Sequence, residues 1–215
     1  MKIGVFVSCS DLDGKRALKL CNFLNKFGYN VSILKTGKCC GAPLFYSGFL
    51  EKSFKLIKYN KRFFEKYDII LSYEPTCAGF IKENYQLDSK VNVYEVFEFF
   101  EDMRLYERMN LNLKHKVYFH LPCHLRLNDF EKIKKFLKRI KNLYFLEDKC
   151  CGLSGSYFLD NFKISLKILK DRNLPKGKYI LSSNCSICLM ALKIKSFKKP
   201  VKHLLDILLD IQNQG

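Results

Sequence analysis

The sequence predicts an α/β protein of two pseudo-symmetric lobes, each a small parallel sheet flanked by helices, with cysteines at the carboxyl ends of the strands. Three observations carry that expectation. Strand-like and helix-like segments alternate along the 215 residues, their order repeats once, and eight of the ten cysteines fall at matching places in the two copies, with Cys185 added to the second. Alternation of this kind argues for βαβ units and parallel pairing.

The first copy opens with a β-type run at 2–8, which delivers Cys9 at its end. A helical pattern follows at 13–27, with Ala17, Leu18, Cys21, Leu24 and Phe27 expected on its apolar face. A second strand at 29–34 leads into Cys39-Cys40-Gly41. A long helix at 47–66 precedes an apolar strand at 68–72 that runs on to Cys77, and a strand stub at 91–94 feeds a helix at 97–106. The second copy repeats the order: a strand at 116–121 delivering Cys123, a helix at 129–140, a strand at 142–146, then Cys150-Cys151-Gly152. A helix at 161–172, a strand at 178–182 running on to Cys185 and Cys188, a stub at 200–201 and a helix at 204–211 complete it. The seam is expected in the polar stretch 110–115, dividing the chain into domains 1–113 and 114–215.

The cysteine intervals agree between copies. The lone Cys precedes the doublet by 30 residues in one copy and 27 in the other, and 37 residues separate the second Cys of the doublet from the closing Cys in both. Ligands of open parallel sheets sit beyond the strand carboxyl ends, where these cysteines fall. Adjacent cysteines cannot easily close on each other, but they can present two thiolates to one soft metal or cluster. The glycine after each doublet permits positive φ and close backbone approach. The sets differ in size. Cys9, Cys39, Cys40 and Cys77 supply four thiols, enough for a regular [4Fe–4S] cluster or a zinc ion. Cys123, Cys150, Cys151, Cys185 and Cys188 supply five, because Cys185 stands where the first copy has Glu74. Cys21, on the apolar face of the first helix, reads as core packing.

Bulk properties narrow the class. With 48% hydrophobic and 27% charged residues the chain reads as globular. No signal-like segment or membrane-length apolar run is visible, so a cytoplasmic location is expected, where ten cysteines point to metal or redox chemistry before disulfides. The net charge of +17 is spread along amphipathic helices such as 131–139, as on solvated faces, and argues for no nucleic-acid partner. No dinucleotide fingerprint, Ser/His/Asp signature or zinc-hydrolase helix is present.

The motifs resemble the Cys-Cys-Gly domain family of iron–sulfur oxidoreductase subunits. The resemblance rests on Lys38-Cys39-Cys40-Gly41-Ala42-Pro43 with Tyr46-Ser47-Gly48, Pro75-Thr76-Cys77, Leu121-Pro122-Cys123-His124-Leu125, Cys150-Cys151-Gly152 with Gly155, and Cys188-Leu189. It covers nearly the whole chain and is greatest toward the branch that serves L-lactate utilisation, with the cysteine-rich subunit of heterodisulfide reductase and the glycolate oxidase iron–sulfur subunit as relatives. The resemblance implies an iron–sulfur-binding electron-transfer subunit for oxidation of L-lactate or a related 2-hydroxy acid. It would be inactive without partner iron–sulfur or flavin subunits and would reach a membrane only through them. It further implies a main cluster, [4Fe–4S] or non-cubane, on Cys123, Cys150, Cys151, Cys185 and Cys188. A second [4Fe–4S] cluster or zinc would sit on Cys9, Cys39, Cys40 and Cys77. Two alternatives stay open: a heterodisulfide-reductase-like protein whose non-cubane cluster reduces a disulfide, and a zinc-stabilised binding protein.

Overall fold

A computed structural model describes residues 1–34, 36–155 and 157–212. The last residues of the expected second domain, 213–215, lie outside the described residues. Two four-stranded sheets, every pairing parallel, repeat one topology. The first runs β2-β1-β3-β4 from β1 (Lys2–Val5), β2 (Asn30–Ile33), β3 (Ile69–Ser72) and β4 (Asn92–Glu95). The second runs β6-β5-β7-β8 from β5 (Asn112–Phe119), β6 (Lys141–Phe145), β7 (Ile180–Ser183) and β8 (Val201–His203). The predicted class and pseudo-symmetry are those observed. In detail β5 starts at Asn112, earlier than the apolar run suggests, and its register shifts between Asn112 and Val117.

The helices divide by what they cover. Helices α1 (Lys15–Lys26) and α5 (Val96–Asp102) of the first lobe meet α6 (Phe130–Lys138) and α10 (Leu204–Gln212) of the second, α1 on α10 and α5 on α6. One apolar core therefore passes from sheet to sheet through this seam, from Ile3, Val5 and Leu20 to Phe136, Leu204 and Leu208. At its centre Phe97 stacks on Phe136 with ring centroids 5.5 Å apart and planes 12° apart. The buried face of α1 is Ala17, Leu20, Cys21, Phe23 and Leu24. Leu18, expected inside, is exposed, because the face is turned toward α10 by one position. Cys21 packs in the core as expected, and burial pushes its thiol up to about 11.

The outer faces carry α2 (Ala42–Tyr46), α3 (Leu50–Phe64) and α4 (Pro75–Asn84) in the first lobe. Helices α7 (Tyr157–Asp160), α8 (Phe162–Lys170) and α9 (Ser186–Ser196) occupy the second. Neither α4 nor α9 is among the helices expected from the sequence. Each starts immediately after its strand, at Pro75 or Ser186, so the closing cysteines sit in a first helical turn.

Polar side chains also bridge the lobes. Glu95, at the end of β4, caps α5 by accepting from the backbone N–H of Phe97 at 2.7 Å and Glu98 at 3.3 Å. Its other oxygen accepts from Asn184 Nδ2 of the second lobe at 2.8 Å. His203, at the equivalent end of β8, accepts from Leu205 N at 3.2 Å and meets the Tyr73 ring edge-on at 6.4 Å. Burial holds the His203 ring neutral and pushes the Glu95 carboxyl up from 4.5 to about 8.

Two outcomes are expected. Phe136→Ala removes the aromatic stack from a fully buried seam and costs about 3–5 kcal/mol in chemical denaturation. A carboxyl whose proton affinity rises on folding gives its full contribution below its unfolded value and loses it as pH rises through its folded value. Stability of the wild type should fall between pH 4.5 and about 8 for this reason, and Glu95→Gln should flatten that slope.

Candidate metal centres

Each cysteine group is assembled from three strand ends. In the first lobe Cys9 follows β1, the Cys39-Cys40 doublet lies between β2 and α2, and Cys77 sits in the first turn of α4. Their thiols form a continuous chain of S–H···S contacts, Cys9 to Cys39, Cys39 to Cys40 and Cys40 to Cys77. Hydrogen bonds from Cys40 and Cys9 hold Cys39 down at about 2, while its donors Cys9 and Cys40 are pushed up. Only Cys9 is exposed; Cys40 and Cys77 are buried.

The second lobe repeats this with one more sulfur. Cys150, Cys151, Cys188 and Cys185 form an equivalent chain, and Cys151, accepting from Cys150 and Cys188, is held far below the usual thiol range. Cys123 lies at the edge of the chain: burial first, then the neighbouring Cys151 and Cys185, push its thiol up. All nine predicted thiols are thus placed in their two groups.

The turns explain the glycines. Gly41 has φ 98° and Gly152 φ 79°, and each backbone N–H points to the first sulfur of its doublet, at 3.5 Å from Cys39 Sγ and 3.4 Å from Cys150 Sγ. A side chain at Gly152 would come within 3.0 Å of the Ser165 carbonyl oxygen, and one at Gly41 within 2.9 Å of Ser53 Oγ. The doublet carbonyls are held from beneath. Asn60 donates to Cys39 O at 2.9 Å and Tyr85 to Cys40 O at 2.8 Å. In the second lobe the same post belongs to Arg172, which donates to the carbonyl oxygens of Lys149 and Cys150, the latter at 3.2 Å.

Two residues of the second centre are not anticipated by the sequence motifs. His120, at the end of β5, lies with Cys151 and Cys188 in a buried triad whose ligand atoms are all within 4.8 Å of one another. Its Nδ1 faces Arg172 Nη1 at 3.2 Å, its Nε2 is buried without a nitrogen or oxygen partner, and the ring hydrogen-bonds Cys151, helping to hold that thiol down. Arg172 is only 3% exposed and has no carboxylate partner among the described residues. A buried cation without a counter-charge is costly, and the adjacent thiolates are what can supply one. Five convergent sulfurs, a buried imidazole set against Cys151 and a buried guanidinium fit an anionic, soft-ligand metal group. The sequence offers a signal for His120 only in its place three residues before Cys123; Arg172 looks like the end of a solvated helix.

A cavity of about 590 Å³ opens from this centre toward the first lobe. Cys123, Cys151, Cys185 and Cys188 line one side, and Pro43, Tyr46 and Thr76 of the first lobe close the other. His124 stands at this boundary. Its Nδ1 shares a 2.6 Å hydrogen bond with Thr76 Oγ1, its ring stacks on Tyr46, and burial lowers its pKa.

A duplicated parallel fold with thiols gathered at the strand ends of each half defines a two-module cysteine-rich protein, and the sequence family agrees. The cysteine-rich CCG domain matches residues 3–82 and again 117–193, and the chain belongs to that family. Lactate utilization protein A of Oceanobacillus iheyensis is 25% identical over 97% of this chain and 96% of its own length. A CoM/CoB fumarate reductase subunit of Methanothermobacter marburgensis is 29% identical over 72% of this chain and 33% of its own length. Among solved structures, glutamate racemase RacE1 of Bacillus anthracis aligns with a TM-score of 0.43 and 13% identity, covering 99% of this chain and 80% of its own.

Glycine substitutions test the turn. Gly155, φ 54°, has nothing within 4 Å of an added Cβ. Gly155→Ala should cost roughly the 1–2 kcal/mol of a left-handed residue. Gly152→Ala adds a backbone clash and should lower the thermal midpoint clearly further.

Proposed function

We propose that this chain is the iron–sulfur-binding electron-transfer subunit of a multi-subunit oxidoreductase. The observation that carries the reading is the gathering of five thiols and a buried imidazole in one group, four of the thiols (Cys123, Cys151, Cys185 and Cys188) lining one inter-lobe cavity. Cys123, Cys150, Cys151, Cys185 and Cys188 would hold the main cluster, [4Fe–4S] or non-cubane. Cys9, Cys39, Cys40 and Cys77 would hold a second [4Fe–4S] cluster or zinc. When bound, such a group takes up and releases single electrons. The protein's part is to gather the thiolates, donate backbone N–H groups to their sulfurs and exclude water through burial. Domains 1–113 and 114–215 would each contribute one group.

Oxidation of L-lactate or a related 2-hydroxy acid is the process we assign. It is supported by likeness along nearly the full length of proteins named for lactate utilisation. Substrate chemistry would fall to partner iron–sulfur or flavin subunits, and the assembly would work in the cytoplasm. Among the described residues no helix is long and apolar enough to cross a membrane. A second reading, reduction of a disulfide at the five-thiol centre, is favoured by the cavity that opens directly onto Cys123, Cys185 and Cys188.

Anaerobically purified protein should be brown and contain iron and acid-labile sulfide; colourless protein with stoichiometric zinc would replace this reading with a zinc-stabilised binding protein. Cys188→Ser should abolish the EPR signal of the main cluster, whereas Cys77→Ser should leave it and remove only metal of the first group. Retention of the full iron content and signal in Cys188→Ser would refute the ligand assignment. Turnover of a disulfide with reduced viologen, lost in Cys185→Ser, would select the second reading.

A further inference from the structure

Glu74 occupies the place that Cys185 holds in the second copy, three residues before its closing cysteine. Its charge reaches Cys9 of the first group, but its hydrogen bonds cross the lobe boundary to the start of α9. Ser186 donates its backbone N–H to both carboxylate oxygens, at 3.2 and 3.3 Å, and its hydroxyl to Oε1. Ser10 donates its hydroxyl to Oε1 at 3.0 Å, and the Ser186 hydroxyl lies 2.9 Å from that of Ser10. Ser10 is tied back in turn to Ser8 Oγ, at 2.8 Å from its hydroxyl and 3.2 Å from its backbone nitrogen.

The covalent neighbours of these atoms give the cluster its meaning. Ser10 follows Cys9, Glu74 lies one turn before Cys77, and Ser186 follows Cys185 and precedes Cys188 by two residues. One carboxylate, only 5% exposed, therefore joins two ligand-bearing segments of the first group to the ligand-bearing turn of the second. The carboxyl also satisfies the otherwise unpaired N–H of Ser186 in the first turn of this eleven-residue helix.

We propose that Glu74 is a positioning residue for the second metal centre: a strut through which the first lobe fixes Cys185 and Cys188. The inference rests on the reading of that centre as an iron–sulfur site and adds to it a dependence between the two groups. Groups that orient metal ligands without touching the metal commonly carry about 10–100-fold in metal affinity.

The test uses the full chain, purified anaerobically, with Glu74→Ala, Ser186→Ala and the double variant. The second centre is identified by the EPR signal that Cys188→Ser abolishes. Its rate of loss to a ferrous chelator, its g-values and the thermal midpoint of the protein are followed together. Both single variants should release iron from the second centre about 10–100-fold faster and shift its g-values, and the double variant should be no worse than the worse single one, because both act through one contact. Unchanged g-values and release in the two single variants, additive effects in the double one, or a change confined to the first group would overturn the strut. Should Glu74→Ala fail to fold, Glu74→Gln, which keeps the shape but replaces one acceptor oxygen by a donor, takes its place, and wild-type release and g-values in it would overturn the strut. Wild-type protein without iron would overturn the cluster reading itself, an outcome distinct from iron-loaded variants that behave as wild type.

Discussion

Parallel pairing imposes the constraint on which everything else depends. A parallel strand can be followed by its neighbour only after a crossover, so all carboxyl ends of a sheet emerge on one edge. Here that edge is where β1, β2 and β3 of the first lobe, and β5, β6 and β7 of the second, release their cysteines. Thiols scattered over about seventy residues of sequence become neighbours because hydrogen-bonded ladders leave them nowhere else to go. The cost of gathering thiols in a half-buried place is met by the core on the opposite side. The aromatic seam of Phe97, Phe100 and Phe136 joins helices α5 and α6 across the lobe boundary, and both cysteine-bearing edges are thereby held in fixed relation.

That rigidity makes cross-lobe contacts meaningful. Glu95 with Asn184 and His203 with Tyr73 are the two halves of one pseudo-symmetric motif, each a strand-end residue that caps a helix and touches the other lobe. Glu74 with Ser186 and His124 with Thr76 add contacts nearer the sulfurs. A chain of independent modules would not bury three such hydrogen-bonded links and a ring contact between lobes, because each polar group loses hydration on association and is repaid only if the partner is held in place. The two cysteine groups therefore share one scaffold.

What can be read beforehand follows from the range of the interactions involved. The cysteine spacing, the glycine turns and the alternation of strands and helices are local or repeated, and the sequence displays them. The apolar face of α1 departs from expectation at Leu18 because Lys15–Lys26 contains more apolar residues than one stripe can bury, and only contact with α10 selects Leu20 and Phe23. Helices α4 and α9 are hidden because their first turns carry the cysteines, which draw attention as ligands, not as helix starts. His120 and Arg172 are invisible for a stronger reason. Their meaning lies in a contact between residues 52 apart, and a charged residue at the end of an amphipathic helix ordinarily faces water.

The differences between the lobes form a consistent set when charge is followed. His120 and Phe6 hold equivalent places one residue beyond their strands, each backbone N–H closing onto the neighbouring strand, at Ser182 O and Leu71 O. Arg172 and Asn60 are likewise equivalent, each seven residues after a serine packed on the doublet glycine, Ser165 or Ser53. Phe6 and Asn60 serve four thiols without adding charge. Where Cys185 brings a fifth thiol, a buried guanidinium and an imidazole have replaced them. A fifth thiolate raises the negative charge of a buried group, and a buried cation without a carboxylate needs such charge beside it. The two changes are stable together and costly apart, so on the proposed reading the second lobe would hold the more anionic of two groups.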